Sequence, residues 1–79
     1  MRLPRDLSGS RLIDALCRNY GYQRVHQVGS HVILEADTPG HHRIAIPNHE
    51  SLRIGPLNFI LRSVAAAQGI DKKEILRFL

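Results

Sequence analysis

Apolar residues recur at helical period near the start of the chain. Leu12, Ile13, Leu16, Cys17 and Tyr20 fall at i, i+1, i+4, i+5 and i+8, which places them on one helix face. Arg11, Asp14, Arg18 and Asn19 take the other side, with Asp14 and Arg18 spaced for a weak ion pair. Ser8 or Ser10 can cap the start by accepting an orphaned backbone N–H, and Gly21 can end the helix in the left-handed conformation. Cys17, within the stripe, reads as a small buried hydrophobe. From Tyr22 the period changes to two. Residues Tyr22–Ala36 predict two strands joined at Gly29-Ser30, because a Gly-led two-residue link between alternating runs is a hairpin signal. Counting outward sets Val28 opposite His31, Gln27 opposite Val32, His26 opposite Ile33, Val25 opposite Leu34 and Arg24 opposite Glu35. That register pairs apolar residues on one face and opposite charges on the other.

Asp37–Gly40 is a turn cluster, and Arg43–Pro47 predicts a third strand that ends at Pro47, which cannot donate to a ladder. The apolar face then holds Val25, Val32, Leu34, Ile44 and Ile46. The open face carries Arg24, His26, His31, Glu35 and Arg43. Asn48–Gly55 is a polar connection that includes His49, Glu50 and Arg53. Pro56 suits the first turn of a second helix, in which Leu57, Ile60, Leu61 and Val64 form the apolar stripe and Gly69 marks the end. Asp71 and Glu74 have capping-box spacing for a short last helix with Ile75, Leu76 and Leu79. The order α-β-β-β-α-α implies an α+β fold: a three-stranded antiparallel sheet with helices on one face. A basic lead-in with Arg2, Pro4 and Arg5 precedes it.

Composition narrows the class. Seventy-nine residues with 43% hydrophobic content make one domain over residues 1–79, near the lower size limit for an unstapled core. Cys17 is the only cysteine, so no internal disulfide forms and a reducing, cytoplasmic setting is expected. No apolar run approaches the ~18 residues of a membrane span. Eleven Lys/Arg against seven Asp/Glu give a net charge of +4, compatible with a polyanionic partner such as nucleic acid.

Five histidines invite a metal site, but adjacent His41 and His42 would point to opposite faces of a strand. No spacing matches a zinc pattern either. Cys17 is expected to be buried and so unfit as a nucleophile. Gly29 and Gly40 are isolated and make no nucleotide-binding loop. Neither a metal nor a cofactor is expected. His31 has a different character, because a short turn holds it on an open face. The same position suits a solvated turn histidine without a role. Imidazole titrates near neutrality, and RNA cleavage needs a base for the 2′-hydroxyl proton or an acid for the leaving 5′-oxygen. Arg24, Arg43 or Arg53 could hold phosphate. No second proton-transfer group is identified, and His26 and His49 are the candidates.

Several segments in series resemble one family. They are Ser8-Gly9, the helix to Gly21, the basic strand, Val28-Gly29-Ser30-His31, Arg43-Ile44-Ala45-Ile46-Pro47, His49, and Leu52-Arg53-Ile54-Gly55-Pro56-Leu57. Together they resemble the HicA (YcfA-like) toxins of toxin–antitoxin pairs, from about Ser8 to the C-terminus. The resemblance implies a fold like a double-stranded-RNA-binding domain, metal-independent cleavage of mRNA, and a HicB-type antitoxin partner that covers the active site. It makes His31 the catalytic histidine and Gly29 and Ser30 the residues that shape its turn. Arg24, His26, Arg43 and Arg53, read from their charge and placement and not from the resemblance, are further candidates for RNA contact. Family members often carry a Lys before the Gly and a second His after the first, where this chain has Val28 and Val32. The alternative reading is a non-catalytic module of the same fold that binds RNA or an antitoxin.

Overall fold

The computed structural model describes residues 3, 4 and 6–79; Arg2 and Arg5 of the basic lead-in lie outside them. Helix α1 (Gly9–Tyr20) is followed by strands β1 (Gln23–Val28), β2 (His31–Ala36) and β3 (His42–Pro47), then helices α2 (Ile54–Gln68) and α3 (Lys72–Leu76). The strands form one antiparallel sheet in the order β1-β2-β3. This is the expected α+β arrangement. Ser8 is the cap of α1, accepting the Arg11 N–H at 3.0 Å, and Gly21 and Gly69 end α1 and α2 with left-handed backbone. Asp71 caps α3 by accepting from the Lys73 N–H.

The core joins the stripes read from the periodicity. Leu12, Ile13 and Leu16 of α1 meet Val32 and Leu34 of β2, Ile44 and Ile46 of β3, Leu57, Ile60, Leu61 and Val64 of α2, and Ile75 of α3. Each such side chain contributes about 1.5–3 kcal/mol on leaving water.

The first strand departs from the expected register. Val28, Gln27 and His26 oppose His31, Val32 and Ile33, but a bulge follows, so Arg24 opposes Leu34 and Gln23 opposes Glu35. Val25 is the extra residue and is 46% exposed. It therefore leaves the apolar face. Arg24 moves from the open face to the face of Leu34, close enough to Cys17 to act on its thiol. The reason lies in the cover. Both α1 and α2 pack on β3, while all six residues of β1 are exposed. With nothing burying the edge strand, little energy holds Val25 to Leu34, and a bulge at an edge costs little. Cys17 is half-buried and not fully enclosed. Burial raises its thiol pKa, with Arg24 opposing the shift.

Where β2 ends, at Ala36 opposite His42, the Tyr22 hydroxyl and His42 Nδ1 lie 2.7 Å apart. Burial, with the nearby His41, lowers the His42 pKa. The unfolded chain thus binds that proton more readily than the folded one. The stability this gives is fully present above the ordinary histidine value of about 6.5 and is lost as pH falls through the lowered folded value. Thermal melts are expected to show a decline below about pH 6.5 that His42→Gln, which keeps an acceptor but cannot titrate there, makes shallower. An unaltered pH profile in that variant would assign the decline to other groups.

Candidate active-site cleft beside the hairpin turn

Gly29 has φ 59° and is the one turn residue of the hairpin with positive φ, as a II′ turn requires at its first central position. The Gln27 amide donates to the Gly29 carbonyl at 3.0 Å and braces the turn from within. The turn delivers His31 as the first residue of β2, exposed and between Val28 and Pro47 across the sheet. Pairing with Pro47 has a consequence for the segment that follows it. Residues just past the end of β3 must run alongside Gly29-Ser30.

That segment is fastened from three directions. The Asn48 N–H donates to the Ser30 carbonyl at 2.7 Å, the Gly9 N–H to the His49 carbonyl at 2.8 Å, and the Leu52 N–H to the Leu7 carbonyl at 2.7 Å. The Ser51 hydroxyl adds a bond to Asp6 Oδ1 at 3.4 Å. Gly9 permits the close approach. A Cβ there would overlap the Pro47 carbonyl oxygen and lie 2.8 Å from the Asn48 Cα. The stretch expected to be a plain polar connection is thus a pinned loop, and Ser30 Oγ and His49 Nε2 lie 3.3 Å apart across it.

The loop and His31 at the start of β2 border a cleft of about 520 Å³, within the usual range for small-ligand sites. His31, His49, Ser51 and Arg53 line it together with Pro47, Leu52 and Pro56. Among the described residues, no carboxylate lines it. Arg53 is also the N-cap residue of α2 and makes no side-chain capping bond. The first N–H groups of that helix have no intrahelical acceptor and carry its positive dipole end. Two cationic elements, one guanidinium and one helix start, therefore occupy one side of the cleft.

Of the residues singled out by sequence, His31 and Arg53 line the cleft, and Gly29 and Ser30 form the turn that precedes His31. His26 stands on the same sheet face, opposite Ile33, one row away from His31 and outside the cleft. Arg43 lies opposite Glu35, two rows along, about 13 Å from His31 at the rise of a strand. There it pairs with Glu35 at 3.3 Å, beside a contact of His41 Nδ1 with Asp37 Oδ1 at 3.1 Å. Arg24 is on the other face, as the bulge dictates. Ser51 was not singled out, and His49 was only one of two candidates. The signal that would find them is the β2–β3 register, which the Asp37–His41 turn does not reveal by counting. Among the described residues, no group of three or more His, Cys, Asp or Glu is placed to hold a metal ion.

A family model described as "HicA toxin of bacterial toxin-antitoxin" matches residues 9–65, more than half of the chain and the whole of the cleft's lining. The chain belongs to the HicA toxin family. No curated protein and no solved structure matches it at a significant level. HicA proteins are the toxin members of toxin–antitoxin pairs, so an antitoxin is the class of partner that this chain has. The two departures from the HicA pattern have different structural meanings. Val32 is buried at 2% exposure, so a residue there serves the core. Val28, at 59% exposure, stands opposite His31, where a lysine would add charge at the cleft's edge. No helix among the described residues is long and apolar enough to cross a membrane.

Proposed function

We propose that this HicA protein is a cytoplasmic, metal-independent endoribonuclease that cleaves mRNA, with His31 as a general acid or base. The observation that carries this reading is the cleft itself. One concavity holds an exposed imidazole, the Arg53 guanidinium and the free start of α2, with no carboxylate among its lining residues. In internal cleavage the 2′-hydroxyl of the RNA attacks its own phosphorus, so the protein supplies proton transfer and charge stabilisation and no nucleophile. Arg53 suits a phosphate by its planar array of donors, and the α2 start suits it by dipole. Gly29 and Ser30 fix the direction of His31. Arg24, on the other sheet face, and Arg43, engaged by Glu35, are outside the cleft's lining and take no part in the chemistry, and His26 is a flanking RNA contact.

The test is to incubate the purified protein with mRNA in excess chelator. Fragments ending in 2′,3′-cyclic phosphate and 5′-hydroxyl groups are expected. RNA left intact would overturn the reading, and binding without cleavage would make this a non-catalytic RNA-binding module. A HicB-type antitoxin that covers the cleft is expected to abolish cleavage when added in equal amount. Val28→Lys is expected to tighten RNA binding and to steepen the dependence of log affinity on log salt by about 0.7–0.9, one added phosphate contact. A titration at several salt concentrations checks it, and an unchanged slope would place residue 28 off the RNA path.

A further inference from the structure

We infer that His49 is the second proton-transfer group of this cleft and works with His31 as an acid–base pair; the inference rests on the ribonuclease reading above. Internal transesterification moves two protons. The 2′-O–H bond breaks as the O2′–P bond forms, and the P–O5′ bond breaks as an O5′–H bond forms. A neutral imidazole takes the first proton and an imidazolium gives the second. The products are a 2′,3′-cyclic phosphate and a 5′-hydroxyl, and the two histidines finish with their protonation states exchanged. No outside reactant enters. In an in-line displacement the entering and leaving oxygens lie on opposite sides of phosphorus, so one ring cannot serve both.

His49 meets the requirements that His26 does not. It lines the cleft with His31 and Arg53, and it arrives from the loop after β3 whereas His31 arrives from β2. Its backbone is held by the Gly9 N–H at 2.8 Å. Its ring is oriented by the Ser30 hydroxyl at 3.3 Å, and Ser30 is the residue before His31, so one turn sets both rings. Contacts of that length in an unliganded site tighten or exchange when substrate binds. Among the described residues, the titratable and charged groups around His49 are His31 from β2, Arg53 from the start of α2, its chain neighbour Glu50, and Asp6 through Ser51.

The pair is tested with the full-length protein on a short RNA, in chelator, across the neutral pH range. Wild type is expected to give a bell-shaped rate profile, and His49→Ala a rate lower by about 10²–10⁴-fold with one limb of the bell missing. A second RNA carries sulfur in place of the bridging 5′-oxygen at one linkage, giving a thiolate leaving group that needs no proton. The variant lacking the acid, either His31→Ala or His49→Ala, is expected to regain most of its rate on this substrate while the other does not. His49→Gln, with its melting temperature recorded, guards against a loss caused by unfolding. A His49→Ala rate near that of wild type, a lowered rate with both limbs kept, or thio recovery in both variants or in neither would overturn the pair. Each of those results leaves the ribonuclease reading standing if wild type still cuts, whereas an inactive wild type removes that reading itself.

Discussion

His31→Ala is expected to lower RNA cleavage by at least about 10²-fold, the low end of what a positioned proton-transfer group contributes, while the melting temperature stays within the small range of surface changes. Both halves of that expectation come from the placement of the residue. His31 is exposed at the first position of β2, so its ring is not part of the core. Its backbone pairings with Val28 and Pro47 do not depend on the side chain. Alanine therefore removes the imidazole and leaves the turn, the loop and Arg53 in place. Initial rates on a defined RNA, with melts of both proteins, check the prediction. Equal cutting by the variant would remove His31 from the chemistry. His26→Ala is the useful contrast, since His26 sits outside the cleft and its loss is expected to touch binding more than rate.

Gly9→Ala is expected to have the largest effect on stability for the smallest change in composition. The added Cβ would collide with backbone, the Pro47 carbonyl oxygen and the Asn48 Cα, and backbone cannot rotate away as a flexible side chain can. Overpacking of this kind costs about 1–3 kcal/mol, occasionally more. At this chain length each kcal/mol lowers the melting temperature by about 4–8 °C. The same displacement would stretch the Gly9 N–H bond to the His49 carbonyl and draw the loop away from Ser30. Activity is therefore expected to fall further than the loss of folded protein explains. The exposed neighbour Ser10 is the control, and Ser10→Ala should leave both quantities nearly unchanged. A Gly9→Ala protein as stable and active as wild type would mean that α1 does not fix this loop.

Some of the molecule was readable from residues in one dimension. The helical stripes of α1 and α2, a serine cap at Ser8 or Ser10, the ends at Gly21 and Gly69, the Asp71 cap, the Gly29-Ser30 turn and the end of β3 at Pro47 all follow from local rules. Each depends on period, capping or allowed φ within a few residues. The position of His31 after the turn is of the same kind. The register of β1 was not readable. Local alternation favours Val25 opposite Leu34, yet Val25 is the bulged residue, because alternation is enforced only where something covers the face. That single slip also relocated Arg24 from the open face to the neighbourhood of Cys17.

The order of elements, their amphipathic faces and one histidine presented by a tight turn are legible in the residues, since these are set by contacts close along the chain. Which basic and titratable groups share a site is settled by how the elements pack. Arg24, Arg43 and Arg53 are equivalent as residue types, but the bulge turned the first away, Glu35 engaged the second, and the α2 start brought the third to His31. His49 reached the cleft through the β2–β3 register and three backbone hydrogen bonds between segments distant in sequence. Such pairings are fixed by burial and closure across the whole fold, and no window of neighbouring residues contains them.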